Sequence, residues 1–402
     1  MNFPKKASTL SEILANNGYK ARIVGGYVRD MLRGYTSNEI DMATDAKPEI
    51  IQNLCEKNNI KCIPTGLKHG TVTVIINGEH IEITTLRRDL SCDGRHAEVL
   101  FTDDWEEDAK RRDFTINAMY LDSHLRLYDF FSGEKDLQEN IVRFIGDPEE
   151  RIHEDYLRIM RYFRFLGCFD SLKLHQDSFD AAVVLSKNLY KISHERIQSE
   201  LLKIFSSKSK NIPIKLMLVN KVFEKIGLNF TYIDTDKLYF GDNPLINIAI
   251  MMRLSNMTDT TILKDLKFSN AEQKLIGSLL KYQLDNHFMV VLNKMINMIN
   301  TTKDIHNKMQ EIGKDIYIRL FEIYFGIYIK SLTSCNYSEI LNNFSSTIGC
   351  IKLKEFPVTS HDIMYLGYSG RDIGDQLLLA KQLWVESDCT LNKTLLIKLI
   401  KT

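Results

Sequence analysis

Two carboxylates, Glu39 and Asp41, stand two residues apart near the end of the stretch VGGYVRDMLRGYTSNEIDMAT, Val24 to Thr44. In a strand, residues i and i+2 share a face. EIDMAT alternates as a half-buried strand does, so both carboxylates are expected to aim at one point. Two hard oxygen ligands on a stiff strand are the protein's share of a Mg²⁺ site, with phosphate oxygens and water completing the octahedron. A pair of such ions activates an attacking hydroxyl and clamps a leaving pyrophosphate. Just upstream, Gly25-Gly26 predicts a strand-to-helix turn where backbone N–H groups approach phosphates. Arg29 would add a fork of donors. Glu-x-Asp alone is common and equally suits an exposed polar strand. Its junction with Gly-Gly-x-x-Arg-Asp singles the stretch out.

Three further groups of residues could join this chemistry. In EDYLRIMRYFRF, Asp155 is followed by Arg158, Arg161 and Arg164 at three-residue steps along one helical face. With their Tyr and Phe neighbours these arginines form a basic, partly apolar ridge, or else a buried ion-pair helix. RRDFTINAM, Arg111 to Met119, places Arg112, Asp113 and Asn117 in a segment that also reads as a core strand with capping polar residues. Glu82, in HIEITTLR, faces away from Ile81 and Ile83 and offers a third carboxylate for metal or primer work.

These residues need a scaffold, and the first ~140 residues read as mixed strands and helices. A helix at KASTLSEILANNG is closed by Gly18, ARIVGG is a buried strand, and YVRDMLRG is a short helix closed by glycine. KPEIIQNLCEKNN is an amphipathic helix with Pro in its first turn. TVTVIING and HIEITTLR form a hairpin around Asn77-Gly78. From about Asp147 the strand signal fades. PEERIHEDYLRIMRYFRFLGCF reads as one helix, and SHERIQSELLKIF as another capped by Ser193. The rest is helical in period, interrupted at SKSKNIP, GDNP and KEFPVTSHD.

Composition bounds the class. The chain has 402 residues, 44% hydrophobic and 26% charged, so it is globular and predicts two to four domains. The longest apolar runs are too short for a membrane span, and the N-terminus lacks the pattern of a secretory signal. Cysteines 55, 62, 92, 168, 335, 350 and 389 are scattered without Cys-x-x-Cys, which suits a reducing cytoplasm and argues against a Cys-based zinc site. His361-Asp362 lacks the companion ligands of a metal phosphohydrolase and reads as a chance pair at a helix start. Net charge is zero, yet residues 1–150 carry 19 Lys/Arg against 26 Asp/Glu, and residues 151–402 carry 33 against 26. An acidic front with a basic rear suits metal chemistry at one end and a polyanion held at the other.

Five collinear segments resemble a known family. VGGYVRDMLRG…EIDMATDA is similar to the signature of the tRNA branch of the nucleotidyltransferases: class II CCA-adding enzymes and their bacterial poly(A) polymerase relatives. RRDFTINAM, LYDFFSGEKDLQENIVRFIGDP, RIHEDYLRIMRYFRF and ISHERIQSELLKI resemble further family blocks in order, covering about residues 20–205. PVTSHDIMYLGYSGRDIGDQL resembles the family's last domain more loosely. Glu39 departs from the Asp most members carry; it adds one methylene and one rotatable bond, at some entropic cost.

The resemblance implies an α+β fold: a nucleotidyltransferase head with a small mixed β-sheet (1–146), then an all-helical neck that recognises the base (147–206), body (207–300) and tail (301–402) that bind tRNA. It implies template-independent addition of CCA to tRNA from CTP and ATP, with Mg²⁺ held by Glu39 and Asp41; Glu82, from its place on the hairpin, is expected as a further catalytic carboxylate. Gly25, Gly26, Arg29 and Arg112 would meet the triphosphate, and Asp113 and Asn117 would orient the ribose and the loop. Asp155 and Arg158 would read the base edge, both cytosine and adenine offering an exocyclic amino group. Arg161 and Arg164 would help hold base and triphosphate. DLSCDGRHAEVLF, with Asp93-Gly94-Arg95, resembles the loop that accompanies full CCA addition. CC-adding, A-adding and poly(A) polymerase activities, and a catalytically weakened RNA-binding relative, are the alternatives. A monomer or homodimer in the cytoplasm, with no membrane association, is expected.

Overall fold

The computed structural model describes residues 3–37, 39–91, 98–231, 233–282, 286–297, 299, 301–332, 336–387 and 389–401. Asp93-Gly94-Arg95 lies outside the described residues. The chain divides into two compact units, Met1–Asn229 and Phe230–Thr402.

The first unit is built on a seven-stranded sheet. Its strands are β1 (Ala21–Val24), β2 (Asp41–Thr44), β3 (Lys61–Gly66), β4 (Thr71–Ile76), β5 (Glu79–Thr85), β8 (Met119–Leu121) and β9 (Leu127–Asp129), in the order β3-β4-β5-β2-β1-β8-β9. All neighbours are antiparallel except β2 and β5, which run parallel with Asp41 opposite Glu82. β6 (Arg87–Ser91) and β7 (Glu98–Phe101) form a separate hairpin. The β4–β5 turn is the expected Asn77-Gly78, both at positive φ (52° and 79°), as a tight hairpin demands. Helices α1 (Lys5–Ala15), α2 (Gly26–Leu32), α3 (Pro48–Lys57), α4 (Trp105–Lys110) and α5 (Gly133–Gln138) complete this part. α3 has the expected Pro at its start and buries Ile51, Leu54 and Cys55. Gly133 is needed for close approach: a Cβ there would lie 2.2 Å from the carbonyl oxygen of Thr115.

Helices then take over: α6 (Pro148–Glu154), α7 (Leu157–Leu166), α8 (Gln176–Leu185), α9 (His194–Ser206) and α10 (Asn211–Val219). The single helix expected over 148–169 is in fact two. Asp155 adopts an extended conformation (φ −154°, ψ 106°), and its carboxylate accepts from the backbone N–H of Leu157 at 3.1 Å. This break turns Asp155 out of the helical row that was to carry it with the arginines. Ser193 stands at the N-cap of α9 as expected, but its buried hydroxyl makes no capping bond. Phe114, Phe144, Tyr162 and Phe165 pack ring to ring and join α7 to the sheet part of the unit.

The second unit is helical throughout its described regular structure, from Pro244–Leu254 to Lys393–Lys401. Phe321 and Phe344 stack in its interior with ring centroids 3.7 Å apart. Trp384, Phe356, Leu396 and Ile400 form a further core near its end. Asp362 closes a capping box with Thr359, which gives the His361-Asp362 pair its helix-start role. Among the described residues no helix is long and apolar enough to cross a membrane.

Candidate active site

β1 delivers the chain to Gly25, which turns it with φ 75° and ψ −128° into α2. Few residues but glycine adopt this conformation. The turn also explains a departure from the sequence pattern. β1 supplies its last partner, Val24, to Asp41, so the ladder ends there. Glu39 therefore precedes β2 instead of lying in it. Ile40 is buried, its carbonyl accepting from the Glu82 N–H at 3.3 Å, while Glu39 and Asp41 are exposed.

A cavity of about 900 Å³ opens at this turn. Its walls include Gly25, Gly26, Arg29, Glu39, Asp41, Arg112, Asp113, Asn117, Asp155, Arg158, Arg161 and Arg164. Twelve of the thirteen residues singled out in the sequence thus line one space. Glu82 is the exception: it stands opposite Asp41 in the ladder but is not a wall of the cavity.

Most of the polar side chains are locked to one another. Arg29 grips Asp30 and donates to Asn117 Oδ1 at 2.8 Å. Asn117 donates to Asp113 Oδ1 at 3.1 Å, and Asp113 Oδ2 accepts from Arg161 at 2.7 Å. One chain of bonds therefore runs from α2 to α7. Behind it, buried Asp108 receives Arg111 at 2.7 Å, Arg112 at 3.1 Å and the Tyr120 hydroxyl at 2.7 Å. Burial alone would raise the Asp108 carboxyl, but Arg112, Arg111 and Tyr120 outweigh it and bring it down to about 2. On Arg112 burial works downward, and Tyr120 and Asp108 raise it further.

Asp155 and Arg158, expected to read the base edge together, each have another partner in the structure. Asp155 accepts both Nη atoms of Arg196 from α9, at 3.2 and 2.6 Å. Arg158 is held by Glu154 and by the carbonyl of Arg151 at 2.6 Å. The cause is the helix break: with Asp155 extended, its carboxylate turns to α9, and Glu154, the last residue of α6, meets Arg158 of α7 across the break. Arg164 binds the buried carboxylate of Glu200 at 2.9 Å, which also takes Lys203 at 3.1 Å.

Even so, positive charge dominates the cavity. Burial lowers Arg164, and Arg161 lowers it further; Arg151 is lowered by burial and then by Arg158. Cations held this close favour a polyanion. Asp41 is raised: crowding by protein atoms acts first, although the residue opens to the cavity, then Glu82, against Arg112, with Glu39 adding to the rise. Among the described residues no three His, Cys, Asp or Glu side chains converge as a ready metal cage. Two carboxylates with substrate phosphates are the usual Mg²⁺ arrangement, and hard oxygens whose mutual repulsion a divalent cation would relieve fit it.

Arg87, Arg111, Arg196, Lys203 and Ser207 also line the cavity and were not singled out in the sequence. The signal for two of them was present. Arg196, Glu200 and Lys203 are spaced four and three apart, one face of α9.

A mixed-sheet head whose cavity brings the carboxylates Glu39 and Asp41 together with a set of arginines has the make-up of a nucleotidyltransferase. Residues 21–143 match the poly(A) polymerase head domain. The chain is 33% identical to the mouse mitochondrial CCA tRNA nucleotidyltransferase 1, over 99% of this chain and 90% of that one. It is 34% identical to the CCA-adding enzyme of Lactobacillus helveticus, over 69% and 71% of the two chains. In fold it resembles the Bacillus stearothermophilus CCA-adding enzyme solved with CTP, with TM-score 0.75, 24% identity and coverage of 96% and 94%. The Thermotoga maritima CCA-adding enzyme solved with tRNA gives TM-score 0.60 at 19% identity, covering 99% and 96%. The chain belongs to the class II CCA-adding enzyme family.

Proposed function

We propose that this chain adds CCA to the 3′ end of tRNA, taking CTP and then ATP. The observation that carries this reading is the single cavity in which Glu39 and Asp41 share the walls with Arg112, Asp155, Arg158, Arg161 and Arg196. A triphosphate belongs among the arginines, and a base within reach of Asp155 and its arginine partner. Arg29, Asn117, Asp113 and Arg161, bonded in a row, would fix the turn at Gly25 and orient the sugar. Gly25-Gly26 brings backbone close to the phosphates; α2 has only seven residues, so close approach matters more than helix dipole.

Glu39 and Asp41 would hold Mg²⁺, which when bound lowers the pKa of the primer hydroxyl and neutralises phosphate charge. The tRNA 3′-oxygen forms a bond to the α-phosphorus, the bond from that phosphorus to the β-phosphate oxygen breaks, and pyrophosphate leaves with the electron pair. Glu82, across the ladder from Asp41, would take up the hydroxyl proton.

The head (1–146) performs the transfer, the neck (147–206) reads the base, and the body (207–300) and tail (301–402) grip tRNA by shape and phosphate contacts. The chain acts as a monomer or a homodimer. The scattered cysteines favour a cytoplasmic setting; the mouse relative is named as mitochondrial. The test is the purified chain with tRNA ending at the discriminator base, Mg²⁺, and CTP, ATP or both. Addition of three nucleotides and no more supports the reading. Two nucleotides, one A, or long A tails would assign CC-adding, A-adding or poly(A) polymerase activity instead. No incorporation would leave an RNA-binding relative.

A further inference from the structure

A second groove, of about 660 Å³, opens in the same unit beside the arginine cleft. Tyr27 of α2, Ser37 and Glu39 ahead of β2, Lys6 of α1, and Glu79 and His80 of β5 form its walls. Glu39 lines both cavities. Their charges differ. Among the described residues that line the groove, Lys6 is the one Lys or Arg, and it is paired with Glu79 at 2.7 Å. A triphosphate finds its partners in the cleft and nothing comparable in the groove. What the groove offers is an aromatic ring, a hydroxyl and an imidazole. Tyr27 is half-buried, and His80 is exposed on the strand.

The reaction itself says what should lie there. In an in-line displacement the attacking oxygen and the leaving pyrophosphate stand on opposite sides of the phosphorus. With the triphosphate among the arginines, the attacking hydroxyl must reach Glu39 and Asp41 from the side away from them. The groove that shares Glu39 provides room at that carboxylate. We infer that it holds the 3′-terminal nucleoside of the acceptor strand, its base stacked on the Tyr27 ring and its sugar hydrogen-bonded by His80 and Ser37. This inference rests on the function proposed above. The bonds made and broken are the same; Tyr27 and His80 are positioning residues that seat the attacking group and take no part in the transfer.

Base–aromatic stacking tolerates any base, which suits a primer that ends in the discriminator base, then C, then C again. The test uses the full chain and two primers ending at the discriminator base, one natural and one abasic at its 3′-terminal nucleotide. Tyr27→Ala should lower kcat/KM for the natural primer about tenfold, the order of one lost stack. It should leave the abasic primer, and CTP binding measured without tRNA, unchanged. Tyr27→Phe should keep wild-type kinetics. His80→Ala should raise KM for both primers and leave CTP binding alone. Equal losses of Tyr27→Ala on the two primers, or weakened CTP binding in both alanine variants, would overturn the assignment of the groove. Failure of the unaltered chain to extend any primer would instead overturn the parent reading.

Discussion

Arg196 binds Asp155 through both of its Nη atoms, at 3.2 and 2.6 Å, and so joins α9 to the break between α6 and α7. The fork fixes the direction of the carboxylate proposed to read the base. Arg196→Ala should therefore lower kcat/KM for CTP and ATP by about tenfold or more, the scale of one charge-assisted hydrogen-bond pair, with tRNA affinity within about twofold. Arg196→Lys should rescue little, because an ammonium cannot reproduce the fork. Single-turnover incorporation and filter binding measure the two quantities; loss of tRNA affinity alone would remove Arg196 from base recognition.

Arg158→Ala should damage the choice between CTP and ATP more than tRNA binding. Glu154 holds Arg158, so Glu154→Gln should loosen it and also alter the choice. Competition between the two nucleotides on one primer reads both effects. Unchanged selectivity in both variants would return Arg158 to a structural ion pair.

Asp108 gives a pH prediction. Its folded pKa of about 2 lies below the unfolded carboxylate value of about 3.9. Its contribution to stability is therefore complete above about pH 5, is half gone near pH 3, and is lost as pH falls through about 2. Asp108→Asn strands two guanidinium groups and should cost about 3 kcal/mol near neutral pH. The gap in unfolding midpoint between this variant and the unaltered chain should narrow between pH 5 and pH 3. A gap independent of pH would show that the charge of Asp108 is not what stabilises the fold.

Chelation of divalent cations should abolish incorporation, and Mg²⁺ should restore it. Glu39→Asp should leave activity intact or raise it, since the shorter side chain has less freedom to lose. Full activity in Glu39→Ala would take Glu39 off the metal and leave Asp41 with Glu82.

Gly25→Ala tests the turn. The new Cβ would meet Arg112 Nη1 at 3.9 Å and the Asn117 carbonyl at 4.0 Å, which are ordinary contacts. Its penalty is the backbone conformation, about 1–3 kcal/mol. Thermal unfolding should show that loss, with incorporation falling alongside.

The local features were legible in the sequence. The Asn77-Gly78 turn is set by two adjacent residues, and the Pro48 start and apolar face of α3 depend on no distant partner. What could not be read depends on residues far away in the chain. Asp155 leaves the helix toward Arg196, and Glu39 leaves the strand because β1 ends at a glycine. Arg161 and Arg164 kept the predicted spacing, yet each meets a carboxylate, Asp113 and Glu200, that no helical period could have named.

The row of bonds from Arg29 through Asn117 and Asp113 to Arg161 also bears on synthesis. A nascent chain that has emerged only as far as α5 already carries the glycine turn, both carboxylates and Asp113. It lacks Arg161, the guanidinium that neutralises Asp113 at 2.7 Å. Until α7 arrives, that carboxylate must stay hydrated or protonated, and the turn it braces stays loose. Under the proposed function, the nucleotide site is complete only once α7 has been made, so a chain ending at α5 should hold no nucleotide.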